Sequence, residues 1–264
     1  MSEPGYTAGH PAPVDLDAEI EPNLEVMARG LWGYYKFEED SGATRADSSG
    51  KGHDFTCQGS NFTRDEGNST PFAAVLDGSM LAESQATALD GLVTPWGFVI
   101  GLRPGAPEAD ANVLIHGAGT NYACGLRMLW NGSDLVFRMQ TGYRYGFDGE
   151  VGYDYHNDIV IPDLTSPIDA WYFVAGSFRG PSTSQDGPVT ETLMTLRVNA
   201  TINHVAAMAL DAINEPTHDT VSDVWTLGEN YVGRIGPLSI YERAMEDFEM
   251  ASLYNGGDWL VLDL

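Results

Sequence analysis

Thr192-Leu193-Met194-Thr195-Leu196-Arg197-Val198 is the stretch whose reading decides the fold. Polar and apolar residues alternate along it with period two, the mark of a strand with one buried face and one wet face. Working outward, further strands are expected at short intervals. Before it come Leu31–Phe37, Phe72–Leu76, Gly97–Leu102, Asn112–Ile115, Gly125–Trp130, Leu135–Met139, Asp158–Ile161 and Trp171–Phe178. After it come Trp225–Leu227 and Gly233–Tyr241. Most are bounded by Gly, Pro, Asp or Asn, which favour turns. One helical pattern stands out, Arg243–Tyr254. It places Met245, Phe248 and Leu253 near one face and is stopped by Gly256-Gly257. Val205–Ile213 reads either as a second short helix or as a strand with a loop. Many short strands without βαβ spacing predict an all-β, two-sheet antiparallel jelly-roll sandwich with a short C-terminal helix.

The organisation is an arm followed by a body. Residues 1–29 hold Pro4, Pro11, Pro13 and Pro22 and no aromatic after Tyr6, and read as an extended acidic N-terminal arm. Residues 30–264 are expected to form one sandwich domain with its C-terminal helix and tail. At 264 residues the chain can bury a core without metals or disulfides. Cys57 and Cys124 could form one disulfide or remain two buried thiols, and spacing does not choose.

Charge narrows the partners. Lys and Arg number 13 against 38 Asp and Glu, a formal net charge of −25, and only Lys36 and Lys51 are lysines. Such a chain repels nucleic-acid phosphates and anionic membrane surfaces. Self-repulsion on this scale is relieved at molar salt, where the Debye length is about 3 Å. The pattern resembles proteins of extremely halophilic archaea. Met1-Ser2-Glu3-Pro4-Gly5 has neither a basic n-region nor an apolar h-region, and no stretch has the length of an apolar membrane span. Synthesis in a cytoplasm, without membrane insertion, is the expectation. The sequons at Asn61, Asn68, Asn131 and Asn199 read as chance matches in a chain rich in Asn, Ser and Thr.

Two segments resemble a known family. Gly33-Tyr34-Tyr35-Lys36-Phe37-Glu38-Glu39-Asp40-Ser41-Gly42, followed by Ala46-Asp47-Ser48-Ser49-Gly50-Lys51-Gly52-His53-Asp54, is similar to the opening of laminin-G-like, concanavalin-A-like lectin/glucanase domains. Tyr231–Ala244, continuing to Leu253-Tyr254-Asn255, resembles their closing strand, Tyr-x-Arg-Ala turn and terminal helix. Fainter echoes are Leu76-Asp77-Gly78, Trp96–Pro104, Trp171–Gly176 and Leu196–Asn199, the last with Ala200 where the family has glycine. The resemblance covers about residues 30–256. It implies two curved antiparallel sheets packed face to face. In members that bind calcium it also implies a structural Ca²⁺ near a sheet edge, for which Asp77 is the residue carried over. The paired Asp residues that family members often carry after the closing Gly-x-Ile are replaced here by Gly236 and Pro237.

Catalytic patterns are poor. The glucanase branch of that family carries Glu-x-Asp-x-x-Glu on one strand, whereas the Glu38-Glu39-Asp40 run continues into Ser41-Gly42-Ala43 and lacks the last acid. Six histidines, at 10, 53, 116, 156, 204 and 218, form no metal motif, and neither a nucleophile elbow nor a phosphate loop is present. No enzyme is expected, and a glycoside hydrolase of this fold is the least favoured reading.

The richest local feature is Tyr143 to His156. Tyr143, Tyr145, Phe147, Asp148, Tyr153, Asp154 and Tyr155 are the candidate contacts to a glycan or a protein, since tyrosine faces stack and carboxylates accept sugar hydroxyls. Aromatics filling a sandwich edge would explain the run equally well. The expected function is that of a noncatalytic structural protein exposed on the surface of a virion infecting a salt-loving archaeon, made in the host cytoplasm. Its expected partners are other virion proteins, further copies in a homo-oligomer, and a surface polysaccharide. A free carbohydrate-binding lectin is the alternative.

Overall fold

The computed structural model describes residues 27–39, 42–58, 63–65, 73–83, 95–105, 110–116, 122–143, 154–165, 168, 170–179, 192–207, 224–260 and 262. Sixteen strands run through them: β1 (Leu31–Tyr35), β2 (Thr44–Arg45), β3 (Phe55–Gln58), β4 (Thr63–Asp65), β5 (Ala73–Asp77), β6 (Met80–Glu83), β7 (Trp96–Pro104), β8 (Ala111–His116), β9 (Tyr122–Trp130), β10 (Leu135–Tyr143), β11 (Asp154–Ile161), β12 (Tyr172–Arg179), β13 (Thr192–Val198), β14 (Thr201–Ala207), β15 (Trp225–Glu229) and β16 (Val232–Tyr241). Helix α1 (Asp247–Tyr254) and a 3-10 turn (Asn255–Gly257) follow.

The strands form two antiparallel sheets of eight. The first has the order β14-β13-β12-β7-β16-β5-β4, with β1 also on β16; the second has β11-β10-β9-β8-β15-β6-β3-β2. The all-β sandwich with one short C-terminal helix expected from the sequence is present. Apolar residues two apart point into a shared core: Trp96, Phe98, Ile100 and Leu102 from β7, Phe137 and Met139 from β10, Met194 and Leu196 from β13, Trp225 and Leu227 from β15, all buried. At about 25 cal/mol per Å² this apolar core is the main favourable term for the fold.

The two segments that carried the family resemblance meet. Strand β1 pairs with β16, Leu31 opposite Tyr241 and Tyr35 opposite Leu238. Strand β16 pairs with β7 on one side; on the other it serves β5 over Val232–Ile235 and β1 over Leu238–Tyr241. The change of partner falls at Gly236-Pro237, where the ladder also shifts register against β7. Proline has no N–H to give a ladder and is tolerated at such an irregularity. The Asp-Ser-Ser-Gly loop is built around Asp47. Its Oδ1 accepts from the N–H groups of Tyr34 (3.0 Å) and Ser49 (2.8 Å), and its Oδ2 from Ser49 Oγ (2.7 Å) and His53 N–H (3.1 Å). His53 stacks on Trp32, with ring centroids 3.6 Å apart. This motif is a staple that pins the loop to β1.

Helix α1 departs from the sequence expectation in its buried face. Phe248 is 63% exposed, whereas Met245, Met250 and Leu253 are buried. Met250 and Leu253 stand three apart, about 60° around the helix, while Phe248 lies about 140° from Leu253. The buried face also contains Glu249, which Arg243 grips through Nη1–Oε2 and Nη2–Oε1, both 2.7 Å. The ambiguous stretch at Val205 is strand as far as Ala207; residues 208–213 lie outside the described residues. Cys57 and Cys124 are not joined in a disulfide. They sit on β3 and β9 of one sheet with β6, β15 and β8 between them, so their backbones are about 19 Å apart. A disulfide needs Cα atoms within about 7 Å.

Of the N-terminal arm only the last residues are described. Met27 is buried with Leu31, Tyr34 and Tyr241, and Arg243 Nε donates to the Arg29 carbonyl at 2.6 Å. Residues 1–26 lie outside the described residues.

Candidate binding face

The two outer faces of the sandwich differ. The outer face of the first sheet is covered. Tyr34, Phe173, Ala175 and Tyr241 pack there beneath Met250 and Leu253 of α1, together with Trp259 and Leu262 of the tail. Trp259 meets Trp171 and Phe173 edge-on, with centroids 6.0 and 5.7 Å away. It lies so close to Gly101 that a Cβ there would come within 2.6 Å of its ring. The outer face of the second sheet is buried at Ile115, Thr226 and Ala82 but partly exposed over β9–β11. Val160 is 52% exposed, and the side chains of His156, Arg127, Asp158 and Arg138 are 44%, 31%, 27% and 24% exposed.

Register arranges that face into rows perpendicular to the strands. One row is Asp158–Arg138–Arg127–Asn112–Glu229, across five adjacent strands. Arg138 Nε and Nη2 hold Asp158 Oδ1 and Oδ2 at 2.8 and 2.7 Å, and Asn112 Nδ2 donates to Glu229 Oε2 at 2.6 Å. The row stays in line because of two irregularities. The β8–β9 ladder shifts register between Asn112 and Leu114, and Gly228 takes φ +82°. A side chain at Gly228 would also strike Leu76 of the facing sheet at 2.2 Å. Glu229 is thereby turned outward beside Asn112. Next to this row lies an apolar one, Val160–Val136–Leu129. On its other side His156–Gln140–Gly125–Ile115–Thr226 continues through Ala82 and Thr56 to Thr44.

The first and last residues of the tyrosine-rich run lie at one end of this face. Tyr143 closes β10, and Asp154 and Tyr155 open β11; Gly142 pairs with Asp154 and Thr141 with Tyr155. Tyr145, Phe147, Asp148 and Tyr153 lie outside the described residues. One row, His156–Gln140, lies between the Gly142–Asp154 pair and the arginine row, which are about 14 Å apart along the strands. The polar row itself was missed in the sequence. Its residues come from five separate stretches, and each looks like an ordinary wet-face position until register aligns them.

Asp77 ends β5 where the chain crosses between sheets, and its Oδ1 accepts from Ser79 N–H at 3.2 Å. Among the described residues, no three His, Cys, Asp or Glu side chains gather as a metal site would require. Glu39 accepts from the Ala46 N–H at 2.7 Å and so holds the opening loop. Burial pushes the Cys57 thiol up.

No protein-family model matches the sequence, and no curated protein matches it. Solved structures do match. A receptor binding domain superposes with TM-score 0.56 at 13% identity, covering 88% of this chain and 52% of its own. The binding domain of botulinum neurotoxin DC in complex with rat synaptotagmin II gives 0.54 at 13% identity over 87% of this chain and 52% of its own. The same binding domain in complex with SialylT gives 0.55 at 12% over 86% and 51%. At this identity the likeness is one of fold. The chain spans about half the length of these structures.

Proposed function

We propose that this chain is a noncatalytic β-sandwich binding module, and that it binds through the outer face of its second sheet together with the Tyr143–Tyr155 hairpin end. The observation that carries this reading is the asymmetry of the sandwich. One outer face is covered by α1 and the tail, and the other presents polar and apolar rows to solvent over β9–β11. The structural neighbours in complex with synaptotagmin II and with SialylT support a binding role for this fold. A saccharide surface suits the face, since acids, amides and arginines offer acceptors and donors to hydroxyls beside apolar surface for ring C–H groups. Screening the protein against neutral and acidic polysaccharides tests this. Saturable binding without turnover is expected; carboxylate-dependent cleavage of a bound glycan would overturn it.

The site of action we propose is the surface of a virion in a salt-rich environment, where the chain assembles with other virion proteins as a homo-oligomer. The charge of −25 and the two lysines support this, because such a surface is relieved of self-repulsion in molar salt. Purified particles should contain the protein in stoichiometric amount by mass spectrometry, and its melting temperature should rise from low to molar KCl. Absence from particles, with a stable monomer in solution, would favour the free lectin instead.

A further inference from the structure

One edge of the first sheet is built to take another strand, and the N-terminal arm contains a segment with the pattern of one. We propose that residues 14–21 of a second copy of this chain pair with β14 and extend the first sheet. This inference does not depend on the binding face of the second sheet.

The two sheets end on β14 and β4 and on β11 and β2. Sheet edges are ordinarily blunted by shortness, charge or proline. Strands β4 and β2 are three and two residues long, and each holds an arginine. Strand β11 carries Asp154 and Asp158 and runs into Pro162. Strand β14, Thr201-Ile202-Asn203-His204-Val205-Ala206-Ala207, has seven residues and none of these guards: no Asp, Glu, Lys, Arg or Pro. In a chain with 38 acids that is a marked gap. The direction of its backbone groups follows from register. Asn199 N–H donates to the Phe173 carbonyl at 2.8 Å, so Arg197 and Thr195, two and four residues back, also bond toward β12. Val198, Leu196 and Met194 then bond toward β14, to Thr201, Asn203 and Val205. The N–H and C=O groups of Ile202, His204 and Ala206 point the other way, off the edge. Among the described residues β14 pairs only with β13.

The arm supplies a matching segment. Val14-Asp15-Leu16-Asp17-Ala18-Glu19-Ile20-Glu21 alternates apolar and acidic at every position and is bounded by Pro13 and Pro22. Period two over eight residues specifies a strand with one apolar and one charged face. Beside β14 its apolar face lies on the core side with Val205, whose register partner Met194 is buried in the core, and its acids face solvent. Backbone hydrogen bonds provide the affinity, and the alternation fixes which face turns inward.

Reach makes the donor a second copy. Met27 is buried with Leu31 and Tyr34, which pins the arm beside β1. From β1 across β16, β7, β12, β13 and β14 to an added strand is about 29 Å at the usual strand spacing. The chain from Met27 back to Glu21 spans at most about 21 Å when fully extended.

Amide hydrogen exchange and sedimentation in molar KCl test the assignment, using the full chain, a variant lacking residues 2–21, and Leu16→Pro/Ile20→Pro. The full chain is expected to be an oligomer. Its Ile202, His204 and Ala206 amides should exchange at least about ten-fold more slowly than in either variant, while those of Thr201, Asn203 and Val205 stay protected in all three. Both variants should sediment as monomers, and a synthetic peptide of residues 12–23 should restore slow exchange to the deletion variant. Equal exchange at Ile202, His204 and Ala206 with and without the arm overturns the proposal, as does an oligomer that persists unchanged in both variants. Slow exchange that persists in a full-chain monomer overturns the second copy as donor. Should the deletion variant fail to fold, dilution of the full chain still decides: the same three amides must speed up as it dissociates, and unchanged rates contradict the proposal.

Discussion

Asn157 and Asn203 clasp the two sheets together at one edge of the sandwich. Asn157, fully buried on β11, donates its amide to the carbonyls of Met194 (3.1 Å) and Asn203 (2.9 Å), and accepts from Asn203 Nδ2 at 2.8 Å. The edge strand of the second sheet is thereby tied to β13 and β14 of the first. A side-chain amide bridges because the partner strands have no ladder of their own between them. Replacing Asn157 by Leu should cost about 2–3 kcal/mol, since it strands buried acceptors. Asn203→Ala should cost about 1 kcal/mol, and the two losses should be non-additive. Urea unfolding of the single and double variants measures this; simple additivity would show that the clasp is not a unit.

Glu249 is a buried acid whose partner is fixed. Burial disfavours its charged form, but hydrogen bonds from Arg243 and from the Glu246 N–H outweigh that and hold its carboxyl below the ordinary 4.5. Its folded pKa is depressed, so its contribution is complete above about pH 4.5 and disappears as pH falls through the folded value. Arg243→Ala should cost about 2–4 kcal/mol near neutral pH by leaving that charge unpaired. The penalty should shrink below pH 4; a penalty constant from pH 7 to pH 3 would contradict the ion-pair account.

Asp47 follows the same sign. Burial works against its charge, but the Ser49 hydroxyl and the N–H groups of Tyr34, Ser49 and His53 hold its carboxyl below the ordinary 3.8. Asp47→Ala should cost about 2–3 kcal/mol by orphaning those donors. Hydrogen exchange at Ser49 and His53 should accelerate locally before global unfolding. Unchanged exchange there would mean that the loop does not depend on the carboxylate.

The phase of helix α1 separates two residues only two positions apart, Phe248 and Met250. Met250→Ala should cost about 2–4 kcal/mol, whereas Phe248→Gln should stay within about 0.5 kcal/mol. Thermal melts of both variants check this, and a large loss for Phe248→Gln would indicate that its ring is covered.

The sandwich was legible because period-two alternation survives wherever one face is buried, as at Met194, Leu196 and Val198, and because β1 and β16 carry compact motifs. The short strands β2, β3, β4 and β6 escaped. They are two to four residues long, too short to show a period, and are held by their neighbours instead. Phe248 misled because hydrophobicity alone does not set helix phase when Glu249, paired to Arg243, takes a buried position. The polar row on the second sheet depends on register across five strands and on the shift beside Asn112. Neither is written in any one stretch.

The most direct test of the binding face uses a polysaccharide that the wild type binds and the double variant Val136→Asp/Leu129→Asp. These two substitutions change the outer face of the second sheet next to the arginine row and leave the core untouched. The account predicts unchanged circular dichroism and melting within a few degrees, with affinity reduced at least ten-fold. Full affinity in a folded double variant would contradict it, because binding would then not use this face.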